Sequence, residues 1–303
     1  MTAEQPFEIP ILFLTFNRLD TVKRVFAEIK KTNVKRLYIS SDGARKDVDN
    51  EDRLIEDLRS FLIENIDWEC KVFTLFNDDN LGCKLAVSNA INWFFENEEM
   101  GIVLEDDCLP AQSFFPFCEQ LLHHYKEDER IFLISGYNKQ QKWKEDQQDY
   151  FFSNLGGIWG WASWKRAWKH YDVDIKDIES FIEEDGFINS LGKTLGSLKQ
   201  NMIYSGLKKE SLDSWALQWG YARHKNNGLT CIPSISQIQN IGFGDNATHT
   251  LGRDEAQVTR CEIKLPLKEN KFVVPDLAYD LTVFERPPFL TRFFLKIKNF
   301  LKF

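Results

Sequence analysis

The stretch IPILFLTFNR, residues 9–18, sets a pattern that the first half of the chain repeats. Residues 9–16 are a continuous apolar run of strand length, and Asn17 and Arg18 end it. The apolar residues that follow have helical spacing: Val22, Val25, Phe26 and Ile29. A strand that is apolar throughout is covered on both faces, so this stretch predicts the first strand and helix of a βαβ unit.

The same alternation continues to residue 135. Predicted helices separate further predicted strands. The strands lie at 36–40, 71–76, 102–104 and 131–135, and the helices at 53–63, 85–95 and 114–125. Strands that alternate with helices of this length indicate an α/β fold with a mostly parallel central sheet flanked by helices.

The second half of the chain loses this rhythm. A Gly/Trp-rich segment at 156–164 is followed by helical patterns around 164–171, 195–204 and 215–223, by a strand at 229–232 and by a loop at 242–250. We therefore expect one domain over residues 1–285. Its first half, 1–140, forms the sheet, and its second half, 141–285, is a smaller helical and irregular portion. Residues 286–303 form a separate tail.

Composition excludes several classes of protein. The formal net charge of -8 argues against nucleic acid as a main partner. The six cysteines form no Cys-x-x-Cys pair, which argues against a zinc site and a disulfide framework. The N-terminus lacks the pattern of a secretory signal, and no run of about 18 apolar residues occurs. We expect a cytoplasmic protein.

Polar clusters directly follow three of the predicted strands: Asn17-Arg18, Asp42-Gly43 and Glu105-Asp106-Asp107. Ligands of open α/β sheets bind outside the carboxyl ends of the strands, so these clusters are expected to converge on one crevice. Adjacent carboxylates there suit Mg²⁺ or Mn²⁺, which would neutralise a diphosphate. A short acidic run is often only a solvated loop, as Asp78-Asp79 illustrates, and the position after a strand favours a site.

Six motifs, in order, resemble the inverting N-acetylglucosaminyltransferase I family of GT-A (Rossmann-like) glycosyltransferases. The resemblance spans roughly residues 8–245. The motifs are Phe16-Asn17-Arg18, Ser40-Ser41-Asp42-Gly43, Leu104-Glu105-Asp106-Asp107, Trp159-Gly160-Trp161, Asp213-Ser214-Trp215 and Cys231-Ile232-Pro233-Ser234-Ile235-Ser236.

The resemblance implies a metal-dependent transferase that moves a sugar from a UDP-sugar, such as UDP-GlcNAc, to a hydroxyl acceptor. Arg18 and Asp42 would contact the uracil and neighbouring groups. Glu105 would face the base or ribose, and Asp106 the ribose. The absence of the Golgi enzymes' stem favours a bacterial relative that builds surface polysaccharide or another glycoconjugate, with a saccharide, lipid-linked or protein acceptor.

The metal and the base follow from the same resemblance. Asp107 would bind Mn²⁺ or Mg²⁺, with Asp106 as a second ligand. A late histidine completes the metal site in many GT-A enzymes, and His249 is the candidate for that role here. Asp213 would be the catalytic base. An aspartate before a helix is also a common N-cap, and both roles can coexist. Asp172, Asp174 and Asp245 are alternative bases.

Further candidates come from the side chains themselves. Arg18 offers a planar fork of donors for a base carbonyl or a phosphate, although a surface ion pair would use the same fork. Lys84 lies at a predicted helix start that could face the diphosphate, or it points to solvent. Trp159 and Trp161 flank Gly160, which would let a sugar ring approach them closely.

The tail reverses the charge of the chain. Residues 289–303 alternate phenylalanine with basic residues, which predicts either a basic amphipathic helix on an anionic membrane or a terminal helix packed on the protein.

Two other functions stay open. One is a nucleotidyltransferase, although no Gly-rich GxGxR-type loop follows the first strand. The other is a non-catalytic carbohydrate-binding protein.

Overall fold

The computed structural model describes residues 6–207, 214–242 and 258–284. The strands are β1 (Ile11–Thr15), β2 (Arg36–Ser41), β3 (Lys71–Phe76), β4 (Met100–Glu105), β5 (Cys108–Pro110), β6 (Ile131–Ser135), β7 (Tyr150–Ser153), β8 (Trp161–Trp164), β9 (Leu229–Pro233) and β10 (Ile238–Asn240). The helices are α1 (Leu19–Lys30), α2 (Glu51–Glu64), α3 (Gly82–Asn97), α4 (Phe114–His124), α5 (Lys165–Trp168), α6 (Ile178–Glu183), α7 (Gly186–Leu207), α8 (Ala216–Lys225) and α9 (Leu277–Phe284).

Within these ranges, eight strands form one sheet in the order β3-β2-β1-β4-β8-β6-β9-β7. Neighbours from β3 to β4 are parallel, as are β6 and β9, whereas β8 is antiparallel to both β4 and β6. Helices flank the sheet, so the predicted α/β fold with a mostly parallel central sheet is confirmed.

Strand register brings the predicted clusters to one edge. Thr15, at the end of β1, pairs with Ser41, and Leu14 pairs with Glu105. The residues that follow, Asn17, Asp42 and Asp106, therefore leave the sheet side by side. Parallel strands with burial on both faces produce this convergence because all their carboxyl ends point the same way.

The Gly/Trp-rich segment differs from the expectation. Residues 161–164 form the inner strand β8 rather than a loop, and the helical pattern from Trp164 onward shrinks to the single turn α5. The β8 backbone pairs with β4 and β6, and the side chains of Trp161 and Trp164 are 0% and 2% exposed. Burial of these large aromatic surfaces on both faces of the sheet favours the extended conformation here.

Tryptophans form much of the core on the α3 and α8 face of the sheet. The ring centroids of Trp161 and Trp215 lie 5.8 Å apart, and those of Trp168 and Trp219 lie 4.9 Å apart. Trp168 is therefore a core residue. None of the six cysteines, all of which lie in the described ranges, is in a disulfide, and no helix of those ranges has the length and apolarity to cross a membrane.

Candidate functional site

A cleft of about 370 Å³ opens at the carboxyl ends of β1, β2 and β4. It brings together most of the residues that the sequence predicted. The predicted residues in its lining are Asn17, Arg18, Asp42, Glu105, Asp106, Asp107 and Trp159. The cleft also reaches Ser214, Trp215 and Ala216 at the start of α8, which connects the two halves of the chain.

Arg18 joins two carboxylates of the acidic triplet. Its Nη2 pairs with Asp106 and lies 3.1 Å from Asp107 Oδ2, and its Nε donates to Asp106 Oδ2 at 3.3 Å. Burial alone would lower the pKa of Arg18, but the charges of Asp106 and then Asp107 raise it on balance. A fixed guanidinium thus lines the cleft, where an anionic ligand would share it with these carboxylates.

Two carboxyl groups of the acidic triplet, those of Glu105 and Asp106, have raised pKa values. Burial, followed by the charges of Asp107 and Asp106, raises the pKa of Glu105 to about 8. Burial also raises the pKa of Asp106 to about 6, although Arg18 opposes the shift. The raised pKa favours the protonated form of Glu105 relative to a carboxyl group in water, and in that form the side chain can donate a hydrogen bond to a carbonyl or a hydroxyl.

The backbone after β10 lies directly against Asp107. Strand β10 pairs with β5, which follows the acidic triplet, and Ile241 N donates to Asp107 O at 2.8 Å. A Cβ atom added at Gly242 would lie 2.2 Å from Asp107 Oδ2 and 2.7 Å from Arg18 Nη1. Only glycine lets the chain pass this close to the ion pair. The sequence interpretation did not single out Gly242.

Asp42 lines the cleft, but the protein already uses its carboxylate. Its oxygens accept hydrogen bonds from the Asn77 and Asn80 side chains at 3.0 Å and from Leu81 N and Gly82 N at 3.1 Å. Asp42 thus ties β2 to the N-terminus of α3. These first two amides, which the sequence offered to a diphosphate, are therefore occupied by a carboxylate.

The sequence interpretation missed Arg45, which lines the cleft, and Glu51, the buried carboxylate that holds Arg45 in place. Glu51 is 1% exposed and accepts hydrogen bonds from Asn17 Nδ2 at 2.7 Å and Arg45 N at 2.8 Å, and its carboxylate is paired with the Arg45 guanidinium. The Arg45 guanidinium lies 5.4 Å from the centroid of the Phe16 ring, and both residues line the cleft. Arginine above an aromatic ring is a surface on which a planar base can stack.

The remaining predicted contacts divide into two groups. Trp159 reaches the cleft and packs against Tyr137 with ring centroids 4.6 Å apart. Trp161, Gly160 and Lys84 do not line the cleft. Trp161 is buried in the core, and Gly160, with a φ of +60°, packs against Ile238. Gly160 has a positive φ, so the backbone turns between the two tryptophans, and Trp159 and Trp161 pack against different clusters of the core.

Asp213, His249 and Asp245 lie outside the described residues, as does the tail at 286–303. Ser214, directly after Asp213, lines the cleft. Of the alternative bases, Asp172 does not line the cleft. Its carboxylate accepts hydrogen bonds from the amides of Asp174 and Lys176 at 3.0 and 3.2 Å, which is the pattern of a turn.

No cluster of three or more metal-binding side chains occurs in residues 6–207, 214–242 and 258–284. The triplet nevertheless fits a divalent ion of the Mg²⁺ type. Asp107 presents a partly exposed carboxylate to the cleft, and such ions take one or two carboxylates and complete their coordination with phosphate and water. Because Arg18 lies 3.1 Å from Asp107 Oδ2, an ion and this guanidinium would share the same carboxylate.

Comparison with known proteins gives only distant similarity. No family model and no curated protein matches the chain. A mannosyltransferase from Pyrobaculum calidifontis, solved with GDP-Man and Mn²⁺, is 9% identical over 57% of this chain and 49% of its own, with a TM-score of 0.37. A glycosyltransferase of Streptococcus pneumoniae is 10% identical over 58% of this chain and 39% of its own, with a TM-score of 0.33. A UDP-glucose pyrophosphorylase is 9% identical over 76% of this chain and 93% of its own, with a TM-score of 0.34.

The chain thus spans about half the length of the mannosyltransferase and less than half the length of the streptococcal enzyme. At these TM-scores the similarities carry no functional conclusion, and the chemistry of the cleft has to decide between the possible activities.

Proposed function

We propose that the chain is an inverting glycosyltransferase that moves a sugar from a nucleoside diphosphate sugar, a UDP-sugar such as UDP-GlcNAc, to a hydroxyl acceptor. The observation that carries the proposal is the cleft where Arg18, Asp106 and Asp107 meet at the carboxyl ends of β1 and β4. One fixed cation and one reachable carboxylate in a cleft of about 370 Å³ suit a nucleotide that bears a diphosphate.

The nucleoside lies, in this proposal, against the first half of the chain, residues 1–140. The Phe16 ring and the Arg45 guanidinium form its stacking surface, and Glu105 faces the base or the ribose from the same cleft. Asp42 positions this surface by holding β2 against α3 rather than by touching the nucleotide itself.

The reaction is a single displacement. The acceptor oxygen attacks the anomeric carbon from the face opposite the diphosphate, and the bond from that carbon to the diphosphate oxygen breaks with its electron pair. Asp213, in the segment directly before Ser214 of the cleft, takes the proton of the attacking hydroxyl. Arg18 stabilises the charge on the departing diphosphate. Asp107, with Asp106 and His249 as further ligands, would hold a Mn²⁺ or Mg²⁺ ion, which would supply further neutralisation of that charge.

The acceptor side belongs to residues 141–285. Trp159 presents an indole at the mouth of the cleft, where its face can pack on a sugar ring. A saccharide or lipid-linked acceptor in bacterial surface polysaccharide synthesis fits this arrangement.

The test separates donor binding from transfer. Calorimetric titration with UDP-sugars and Mn²⁺ is combined with an assay for release of UDP, using wild type, Asp107→Asn and Asp213→Asn. We expect Asp107→Asn to weaken metal-dependent donor binding. Asp213→Asn should leave donor binding unchanged and lower turnover by about 10²- to 10⁴-fold, the usual contribution of a general base.

Asp79→Asn is the matched control, because Asp79 is an exposed aspartate that pairs with Lys46 at the surface, at 3.3 Å. Full turnover by Asp213→Asn would remove the base assignment. Release of inorganic pyrophosphate from a nucleoside triphosphate and a sugar phosphate would instead identify a nucleotidyltransferase. Failure to bind any nucleotide sugar would favour a non-catalytic carbohydrate-binding protein.

A further inference from the structure

Helices α7 and α8 bring three basic side chains together outside the lining of the donor cleft. Arg223 and His224, near the end of α8, are each 4% exposed. Lys199 of α7 is only partly exposed, and its Nζ lies close to Gly220 of α8, where an added Cβ atom would be 3.6 Å away. Residues three and four apart on a helix share a face, so Lys199 lies beside both basic residues of α8. We call Lys199, Arg223 and His224 the basic cluster.

No carboxylate balances the basic cluster within the part of the chain that the structure describes. The segments that meet there are α7, α8, strand β9 and the loop 154–160, and none of them contains an acidic residue. The acid beside α8, Asp177, is already paired with Lys225 and accepts a hydrogen bond from the hydroxyl of Tyr221 at 2.8 Å. The positive charge of the basic cluster therefore lacks a counter-charge in the described protein.

The buried guanidinium of Arg223 is also incompletely hydrogen-bonded. Its Nη1 donates to Thr230 Oγ1 at 2.5 Å, and its Nη2 donates to Gly156 O at 3.5 Å. Its Nε is shielded from solvent and has no hydrogen-bond partner among the described residues. Both partners are neutral oxygens, which recover only part of the cost of removing the charge from water. An anion that accepts from Nε would supply what the protein lacks at this position.

The charges of the basic cluster oppose one another. Burial, followed by the charge of Arg223, lowers the pKa of Lys199 to about 8. Burial lowers the pKa of Arg223 to about 10, and burial together with the charges of Lys199 and Arg223 lowers the pKa of His224 well below its ordinary value. An anion between Lys199 and Arg223 would offset this repulsion, because it attracts both cations in a poorly solvated place.

Two segments connect the basic cluster with the donor cleft. Helix α8 begins where Ala216 lines the cleft, and at 1.5 Å per residue it reaches Arg223 about 10 Å farther along its axis. The loop 154–160 accepts the hydrogen bond of Arg223 at Gly156 and lines the cleft with Trp159. A molecule with one group in the cleft can therefore place a second group at the basic cluster.

We propose that the basic cluster binds an oxyanion of the acceptor, a phosphate or carboxylate group that Arg223 Nε and Lys199 Nζ hold on the order of 10 Å from the attacking hydroxyl. The assignment to the acceptor rests on the proposed transferase function. It narrows the acceptor to a molecule that carries negative charge. Binding of the anion itself needs neither donor nor metal, so it is measured separately from transfer.

The experiment is calorimetric titration of the full chain with glucose 1-phosphate, glucuronate, inorganic phosphate and glucose, and with a UDP-sugar in the presence of Mn²⁺. Wild type is compared with Lys199→Gln, which removes one donor of the site at a partly exposed position. The matched control is Lys193→Gln, which removes the same charge from an exposed position of the same helix. Arg223→Lys keeps the charge and removes the Nε donor. Thermal unfolding shows that each variant is folded.

We expect wild type and Lys193→Gln to bind glucose 1-phosphate or glucuronate equally and glucose not at all. Lys199→Gln and Arg223→Lys should bind the anionic sugar roughly tenfold more weakly, the effect of losing one charge-assisted hydrogen bond. Without ligand, Lys199→Gln should melt about 2 °C above wild type, because one of two opposed charges is gone. A lower melting temperature with unchanged anion binding would make Lys199 a structural residue and overturn the proposal.

Other outcomes separate this site from the proposed function. Absence of anion binding by wild type, or equal binding by all variants, overturns the anion site even where the UDP-sugar binds. Binding of inorganic phosphate with no gain from an attached sugar identifies a free ion as the occupant and overturns the assignment to the acceptor. Anion binding that depends on Lys199, in a protein that binds no nucleotide sugar, contradicts the transferase and the acceptor assignment but supports the anion site.

Discussion

Replacing Asp42 by asparagine separates two roles that the sequence and the geometry give to this residue. The resemblance makes it a nucleotide contact, whereas the structure makes it the group that fastens the end of β2 to the start of α3. Asparagine keeps the shape of the side chain and one acceptor oxygen, but it removes the negative charge. A residue that only touches the nucleotide would tolerate this change without loss of stability.

The expected magnitude follows from the contacts. The Asp42 carboxylate is 8% exposed and receives the amides of Leu81 and Gly82, the first of them shared between both oxygens. Two charge-assisted hydrogen bonds become neutral, at a cost of about 1 kcal/mol each, and loss of a negative charge at a helix N-terminus adds about 0.3–1 kcal/mol. The Asn77 amide can turn to accept from the new amide group. We therefore expect the free energy of unfolding to fall by about 2–3 kcal/mol.

The assay is urea unfolding at neutral pH, with Asp79→Asn as the control. Asp79 lies in the loop just before α3, its side chain is 72% exposed, and its contact with Lys46 is a surface ion pair worth less than about 1 kcal/mol. A loss below about 1 kcal/mol for Asp42→Asn, accompanied by weaker nucleotide binding, would refute the structural role and restore direct contact as the main role of Asp42.

Two further substitutions test the parts of the cleft that the sequence did not reveal. Glu51→Gln should lower the free energy of unfolding by about 2 kcal/mol and weaken nucleotide binding, because the Arg45 guanidinium loses its buried partner. Urea unfolding measures the first quantity and calorimetry the second. The control is Glu56→Gln, at an exposed position of the same helix, which should change neither quantity. Gly242→Ala should weaken metal-dependent donor binding about tenfold, with little change in the free energy of unfolding, because the new methyl group displaces the carboxylate of Asp107. Unchanged donor binding would show that Asp107 and Arg18 need not hold their present positions.

The parallel part of the sheet was predictable because one local signal specifies it. A continuous apolar run that ends in a polar cluster identifies both a buried strand and its carboxyl end, as residues 9–18 illustrate. Since parallel strands end at the same edge, the convergence of Arg18, Asp42 and Asp106 followed without any knowledge of side-chain contacts.

The antiparallel part was not predictable in the same way. Trp161 lies beside a glycine and near other tryptophans, which is a composition that loops, sugar sites and cores share. The choice among them depends on pairing with β4, about sixty residues earlier in the chain, and on the tryptophans of α5 and α8. The local sequence does not indicate which distant residues will pair with this segment, so its strand conformation is determined by tertiary packing.

Geometry also divided residues that the pattern had treated alike. Arg18 and Asp42 both follow strands and both line the cleft, yet they differ in how many of their hydrogen-bonding positions the protein itself occupies. Asp42 receives four protein donors from the loop before α3 and from its first turn, and little of its hydrogen-bonding capacity remains for a ligand. Arg18 is bound on one side only, by the two carboxylates, and keeps donors of its fork for the cleft.

This difference also bears on how a divalent ion would act. Because Arg18 and the ion would share Asp107, binding of the ion would draw that carboxylate away from the guanidinium and leave Arg18 held by Asp106. The donors of Arg18 that this releases would then be available to the diphosphate. In the proposed enzyme, Arg18 therefore serves as the counter-charge of the acidic triplet before the donor binds, and as a ligand of the diphosphate afterwards.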